Sequence, residues 1–267
     1  MKSSLLTATG LPRAAAVLAA AGLLLTGCAA DPTLDESWPE IRQKVVDAQS
    51  LRLQMDGEAA PDAEGSGQDA EGSGQDSEIT AAAADLSGAT DDSHLKGTMD
   101  MDMGADSVDM EILRLGEEVF LKMAADGDGV PAETAMFEQL VGDRWMLMPA
   151  DEADSMAGIS LKEIMDDLEA DMPAAEAFDG KDLKAEKVEL DGQEYLKYAL
   201  PEEFHDFART MYVHPEDETL HRLEGTGGED AEADTTATFS EWDAVQAPER
   251  PAEDQIFDMA ALQGLTG

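Results

Sequence analysis

The chain has 267 residues, 60 acidic against 17 basic, for a formal net charge of −43. A polyanion of this kind lacks the basic footprint needed to displace counterions from phosphates, which excludes nucleic acid as a partner. Hydrophobic residues make up 43%, enough for a core, and the single cysteine excludes an intramolecular disulfide framework.

Residues 1–27 read as a secretory signal. Lys2 and Arg13 supply its positive region, and an apolar run from Ala14 to Leu25 is too short to span a bilayer comfortably. The run ends in Leu25-Thr26-Gly27-Cys28, which resembles a bacterial lipobox and makes Cys28 the candidate lipidation site. Two thioether-linked acyl chains, at about 0.8 kcal/mol per buried CH₂, would anchor the protein stably to the outer face of the cell membrane. The alternative is an ordinary cleaved signal that ends near a cysteine. Asp126-Gly127-Asp128-Gly129 lacks the later acidic ligand of a calcium loop and reads as a turn.

A tether over residues 28–36 leads to a helix whose capping box is Ser37-Trp38-Pro39-Glu40. Trp38, Ile41, Val45 and Ala48 lie on one face of that helix. After Ser50 the period becomes two, with Leu51, Leu53 and Met55 on one side and Arg52, Gln54 and Asp56 on the other. Residues 62–75 are one acidic Gly/Ser heptapeptide written twice. They predict a disordered loop at about 57–77, inserted in a hairpin.

From Ile79 alternation returns, and Ile79, Ala81 and Ala83 are read as sharing a face. Leu95, Gly97, Met99, Met101 and Met103 alternate with Lys96, Thr98, Asp100 and Asp102. Val108, Met110 and Ile112, then Val119, Leu121 and Met123, continue a meander with one dry face, turning at Gly116-Glu117. Met136, Phe137, Leu140 and Val141 form a helical patch, followed by a short strand from Arg144 to Met148. Ser160-Leu161-Lys162-Glu163 is a second capping box, opening a helix with a Leu161, Ile164, Met165, Leu168 stripe. Hairpins follow around Asp191-Gly192 and around His214-Pro215-Glu216-Asp217. Residues 236–240 close the sheet, and a tail marked by Pro248 and Pro251 carries Ile256 and Met259. The sum is an α+β domain over residues 37–267, with about ten strands and about three helices.

The order of these pieces resembles the actinobacterial LppX/LprA/LprF/LprG lipoproteins, which have a LolA/LolB-like fold. It runs from the lipobox through the Trp38 helix to Glu118-Val119-Phe120-Leu121-Lys122 and Arg144-Trp145-Met146-Leu147-Met148-Pro149. Asp191-Gly192-Gln193-Glu194-Tyr195 and Thr238-Phe239-Ser240-Glu241-Trp242 complete it. The resemblance implies a strongly curved antiparallel half-barrel with helices on its concave face. It also implies an apolar cavity for a membrane lipid or lipoglycan, and an envelope transport partner. The heptapeptide insertion, the acidity and the Met-rich meander depart from that pattern.

The expected cavity lining is Met99, Met101, Met103, Met110, Ile112, Leu121, Met123, Phe137, Leu140, Leu161, Ile164 and Leu168, with Ala81 and Ala83 beside the methionines. Methionine repacks around guests of varied shape, and few aromatics are present to plug a wide sheet. Two other readings use the same residues. One is a filled core in a non-catalytic surface or signalling module. The other is a Cu(I) site of thioethers from Met99, Met101 and Met103, with Met146, Met148 and His94. No nucleophile elbow, zinc-protease helix or phosphate loop is present, so neither an enzyme, a cofactor nor a resident metal is expected.

Overall fold

The computed structural model describes residues 32–58, 81–103, 106–127, 140–148, 160–225 and 235–258. All belong to the compact unit Asp31–Gly267. Cys28, the repeated heptapeptide and Phe137 lie outside the described residues.

The first helix, α1 (Leu34–Asp47), begins one residue after Thr33, whose N–H donates to the Glu36 carboxylate at 3.4 Å. The helix therefore starts one turn before the Ser37 box expected from sequence. Two consecutive Ser/Thr-x-x-Glu patterns compete here, Thr33 to Glu36 and Ser37 to Glu40, and burial of Leu34 selects the earlier one. Trp38, Ile41 and Val45 face the core as expected. Trp38 meets Phe178 edge-on at 5.3 Å and Phe207 at 5.8 Å, and its indole N–H donates to the carbonyl of Ala174 at 3.1 Å.

Among the described residues twelve strands form one unclosed, curved sheet. In chain order they are β1 (Ser50–Glu58), β2 (Ala81–Ala89), β3 (His94–Met103), β4 (Asp106–Leu115), β5 (Glu118–Asp126) and β6 (Trp145–Leu147). They continue with β7 (Glu186–Leu190), β8 (Gln193–Ala199), β9 (Thr210–Val213), β10 (Leu220–Glu224), β11 (Thr236–Ser240) and β12 (Ile256–Asp258). The second described α-helix, α2 (Leu161–Asp171), precedes β7. Two meanders, β1 to β6 and β7 to β11, are joined where β11 pairs antiparallel with β1. The expectation of about ten strands is thus two short, and the sheet is not purely antiparallel, because β12 adds to the β6 edge in parallel. Among the described residues two α-helices are present rather than three. The expected patch at Met136–Val141 is helical at Leu140 and Val141, and its earlier part lies outside the described residues.

Local chemistry fixes the hairpins. Asp191 and Gly192 both take positive φ, 53° and 80°, the twist that a two-residue hairpin turn requires. The β2–β3 turn does a second job. Asp92 (φ 58°) accepts from the Ser160 hydroxyl at 2.5 Å and from the Lys162 N–H at 3.2 Å, so the hairpin tip holds the N-terminus of α2. Ser160 accepts from Glu163 N–H at 3.0 Å, as its box predicted. After β11, the segment from Glu241 crosses the outer face to reach β12. Its Arg250 pairs with Glu118 at 3.0 Å and stacks over the buried Phe120 ring at 5.3 Å.

Both helices pack on one face. A flat sheet of twelve strands would be about 50 Å wide. Yet Phe257 from β12 and Tyr198 from β8 join the same core cluster as Trp38 of α1 and Leu161 of α2. The sheet wraps its apolar face around the helices, which makes that face the concave one.

Candidate functional site

Cross-strand register sorts the concave face into rows two residues, or about 7 Å, apart. One row runs Phe257, Met146, Leu121, Ile112, Gly97, Leu86, Leu53 and Phe239 across eight strands. It is closed: apart from the edge residue Phe257, its side chains are at most 5% exposed. Gly97 is part of the fit, since a Cβ there would lie 2.5 Å from Leu86 Cδ2 and 2.8 Å from the Asp85 carbonyl oxygen.

The next row toward the rim runs Met123, Met110, Met99, Ala84, Met55 and Ala237. Here burial is lost. Met110 is 9% exposed and Met123 46%, and Met99, Ala84, Met55 and Ala237 are half-buried. Beyond it Ala125, Val108, Met101, Ala82 and Gly57 form a third row in which none is buried. An apolar surface continuous with the core is therefore left partly open along β1 to β5.

Ala81 and Ala83 do not belong to it. They pair with Asp102 and Asp100 and lie on the opposite face, while Ala82 and Ala84 stand opposite Met101 and Met99. A one-residue shift turns every side chain of a strand over, and four consecutive alanines carry no alternation to mark the face. The marker is the following pair, Asp85 outward and Leu86 inward. Asp85 accepts from Arg52 at 2.5 Å and from Gln54 at 3.1 Å; the Arg52 guanidinium holds its carboxyl below the ordinary range.

The other expected lining residues separate by depth. Leu161 is fully buried, Ile164 and Leu168 are half-buried against the core, and Leu140 is 51% exposed. The Met103 side chain and Phe137 are outside the described set. The row also contains residues not named for the lining from sequence, Met55, Ala84 and Ala237. Met55 was already visible in the Leu51, Leu53, Met55 alternation. A charged member of the concave face is Arg114, opposite Leu95 and Val119, 3.7 Å from the Asp92 carboxylate.

Of the thioethers expected for copper, Met99 and Met101 share the concave face, and the Met103 side chain lies outside the described set. Met146 sits in the closed row, and His94 precedes the inward Leu95 and so faces the other side. Met99, Met110 and Met123, by contrast, are direct cross-strand neighbours. Among the described residues no group of three His, Cys, Asp or Glu side chains could hold a metal ion, and no helix is long and apolar enough to cross a membrane.

Several solved structures are similar to this chain. LprF from Mycobacterium bovis has 11% sequence identity and a TM-score of 0.42, with 83% of this chain and 99% of LprF covered. Lipoprotein LppX from Mycobacterium tuberculosis has 12% identity and a TM-score of 0.37, with 81% and 97% covered. The LolA superfamily protein NE2245 from Nitrosomonas europaea has 9% identity and a TM-score of 0.20, with 82% and 96% covered. LprF and LppX are two of the lipoproteins that the sequence resembles. No protein-family model matches the chain, and no curated protein does.

Proposed function

We propose that this chain is an envelope lipoprotein, tethered through Cys28 outside the cell membrane, that binds or carries an acyl lipid or lipoglycan on the concave face of its sheet. The observation that carries this reading is the partly open methionine row, laid directly against a closed aliphatic row. Apolar surface left half-hydrated gains by covering. Burying about eight methylenes of a guest contributes about 6 kcal/mol before the cost of immobilising it. Methionine suits a guest of variable shape, because its unbranched side chain repacks without large strain.

Titration of lipid-stripped protein with a fluorescent acyl probe tests the reading. Saturable uptake that is competed by unlabelled fatty acid supports it. A protein that takes up no probe is the filled-core surface module instead.

A further inference from the structure

Sulfur and branched aliphatics are divided between the two inner rows by accessibility. The closed row holds Leu121, Ile112, Leu86 and Leu53, with Met146 its one thioether. The adjoining row places methionine at four of its six positions, Met123, Met110, Met99 and Met55, with Met101 one step nearer the rim. Thioethers also fill the closed core, at Met165, Met172 and Met211; what distinguishes this row is that its methionines stand side by side across neighbouring strands with Met123, Met99 and Met55 within reach of solvent. A thioether differs from an aliphatic side chain in one further way: it can be oxidised.

We infer that this row is an oxidation site, at which a peroxide converts the exposed thioethers to sulfoxides and so expels the bound acyl chain. The inference rests on the lipid-binding reading. A sulfur lone pair attacks the peroxide, the O–O bond breaks and an S–O bond forms. The sulfur loses two electrons, and hydrogen peroxide leaves as water. Each sulfoxide places a strong acceptor on the row, one that water satisfies in the empty protein and a hydrocarbon guest would strip of its partners. That disfavours the guest and not the folded chain, because the row is already half-hydrated. The order of reaction follows exposure. Met123 at 46% reacts first, then half-buried Met55, Met99 and Met101 and, outside the row, Met148. Met110, Met211, Met146, Met172 and Met165, all at most 9% exposed, are spared.

The experiment treats the lipid-stripped full chain with graded hydrogen peroxide. Sulfoxides are located by peptide mass spectrometry, and affinity for dansyl-labelled undecanoic acid is measured at each step. A variant with Met55→Leu, Met99→Leu, Met101→Leu and Met123→Leu runs in parallel, with thermal unfolding as the check that both remain folded. The expected result is sulfoxide on the open row first and an affinity loss of at least about tenfold in the wild type. The loss is reversed by methionine sulfoxide reductase, and peroxide changes the variant's affinity, measured against its own untreated value, by less than about threefold. Unchanged affinity with the row oxidised, equal loss in the variant, or core methionines reacting as fast as Met123 overturns the inference. Untreated protein that binds no probe overturns the carrier reading as well, whereas binding that ignores oxidation overturns this inference alone.

Discussion

A tryptophan at position 84 should block the concave face, and a tryptophan at position 83 should not. Ala84 is half-buried between Met55 of β1 and Met99 of β3, so an indole there would lie along the open row. Ala83 stands between Asp56 and Asp100 on the far face of the sheet. An indole covers the place of about four methylenes, which at about 0.8 kcal/mol each amounts to about 3 kcal/mol, or an affinity loss of about a hundredfold. Titration of each lipid-stripped variant with the fluorescent acyl probe measures that loss, with near-ultraviolet circular dichroism to confirm packing. Ala84→Trp should weaken binding about a hundredfold, and Ala83→Trp should leave it within about threefold. Equal effects from the two variants, or none from Ala84→Trp in a folded protein, would refute the placement of the guest on this row.

Other outcomes follow from the same contacts. Trp38→Ala removes a fully buried ring packed on Phe178 and Phe207 and should cost about 3–5 kcal/mol in urea unfolding; a cost below about 1 kcal/mol contradicts its place at the centre of the core. Asp92→Ala releases the N-terminus of α2 from the β2–β3 turn. It should cost about 1–2 kcal/mol and speed amide exchange in residues 161–171, whereas unchanged exchange would mean that other contacts hold the helix. Burial of His221, stacked on Tyr195 at 4.1 Å, holds its imidazole below the ordinary pKa. The unfolded chain then binds more protons, so this contribution is complete above about pH 6.5 and is lost as pH falls through the lower folded value. His221→Phe should flatten the fall in Tm between about pH 7 and 5, and an unchanged slope counts against it.

Where alternation was chemically marked, the fold was legible. In the meander from Leu95 to Met123, Lys96, Asp100, Asp102, Asp109, Glu111, Glu118 and Lys122 mark the outward face, and the register is the one that this pattern dictates. The Asp191-Gly192 turn and the Ser160 cap were legible because each needs particular residue types at fixed places. What failed had no local mark. The alanine run at 81–84 reads equally well in either register, and only Asp85-Leu86 orients it. The three residues of β12 carry no period, and their parallel pairing with β6 depends on the path that Arg250 and Glu118 set across the outer face. The junction of β1 with β11, nearly two hundred residues apart, is likewise a tertiary choice. The methionine row was half legible. Alternation put the described thioethers on the dry face, but which of them stay near solvent is set by tertiary packing that no local period records.

Native mass spectrometry of the protein, purified from envelope membranes with Cys28 intact and released gently in detergent, tests lipid carriage most directly. A mass increment beyond the covalent anchor is expected, one that dissociates as an acyl lipid or lipoglycan and is absent from Ala84→Trp. Wild-type protein of bare anchored mass, from the same membranes and without any dissociable lipid, would contradict it.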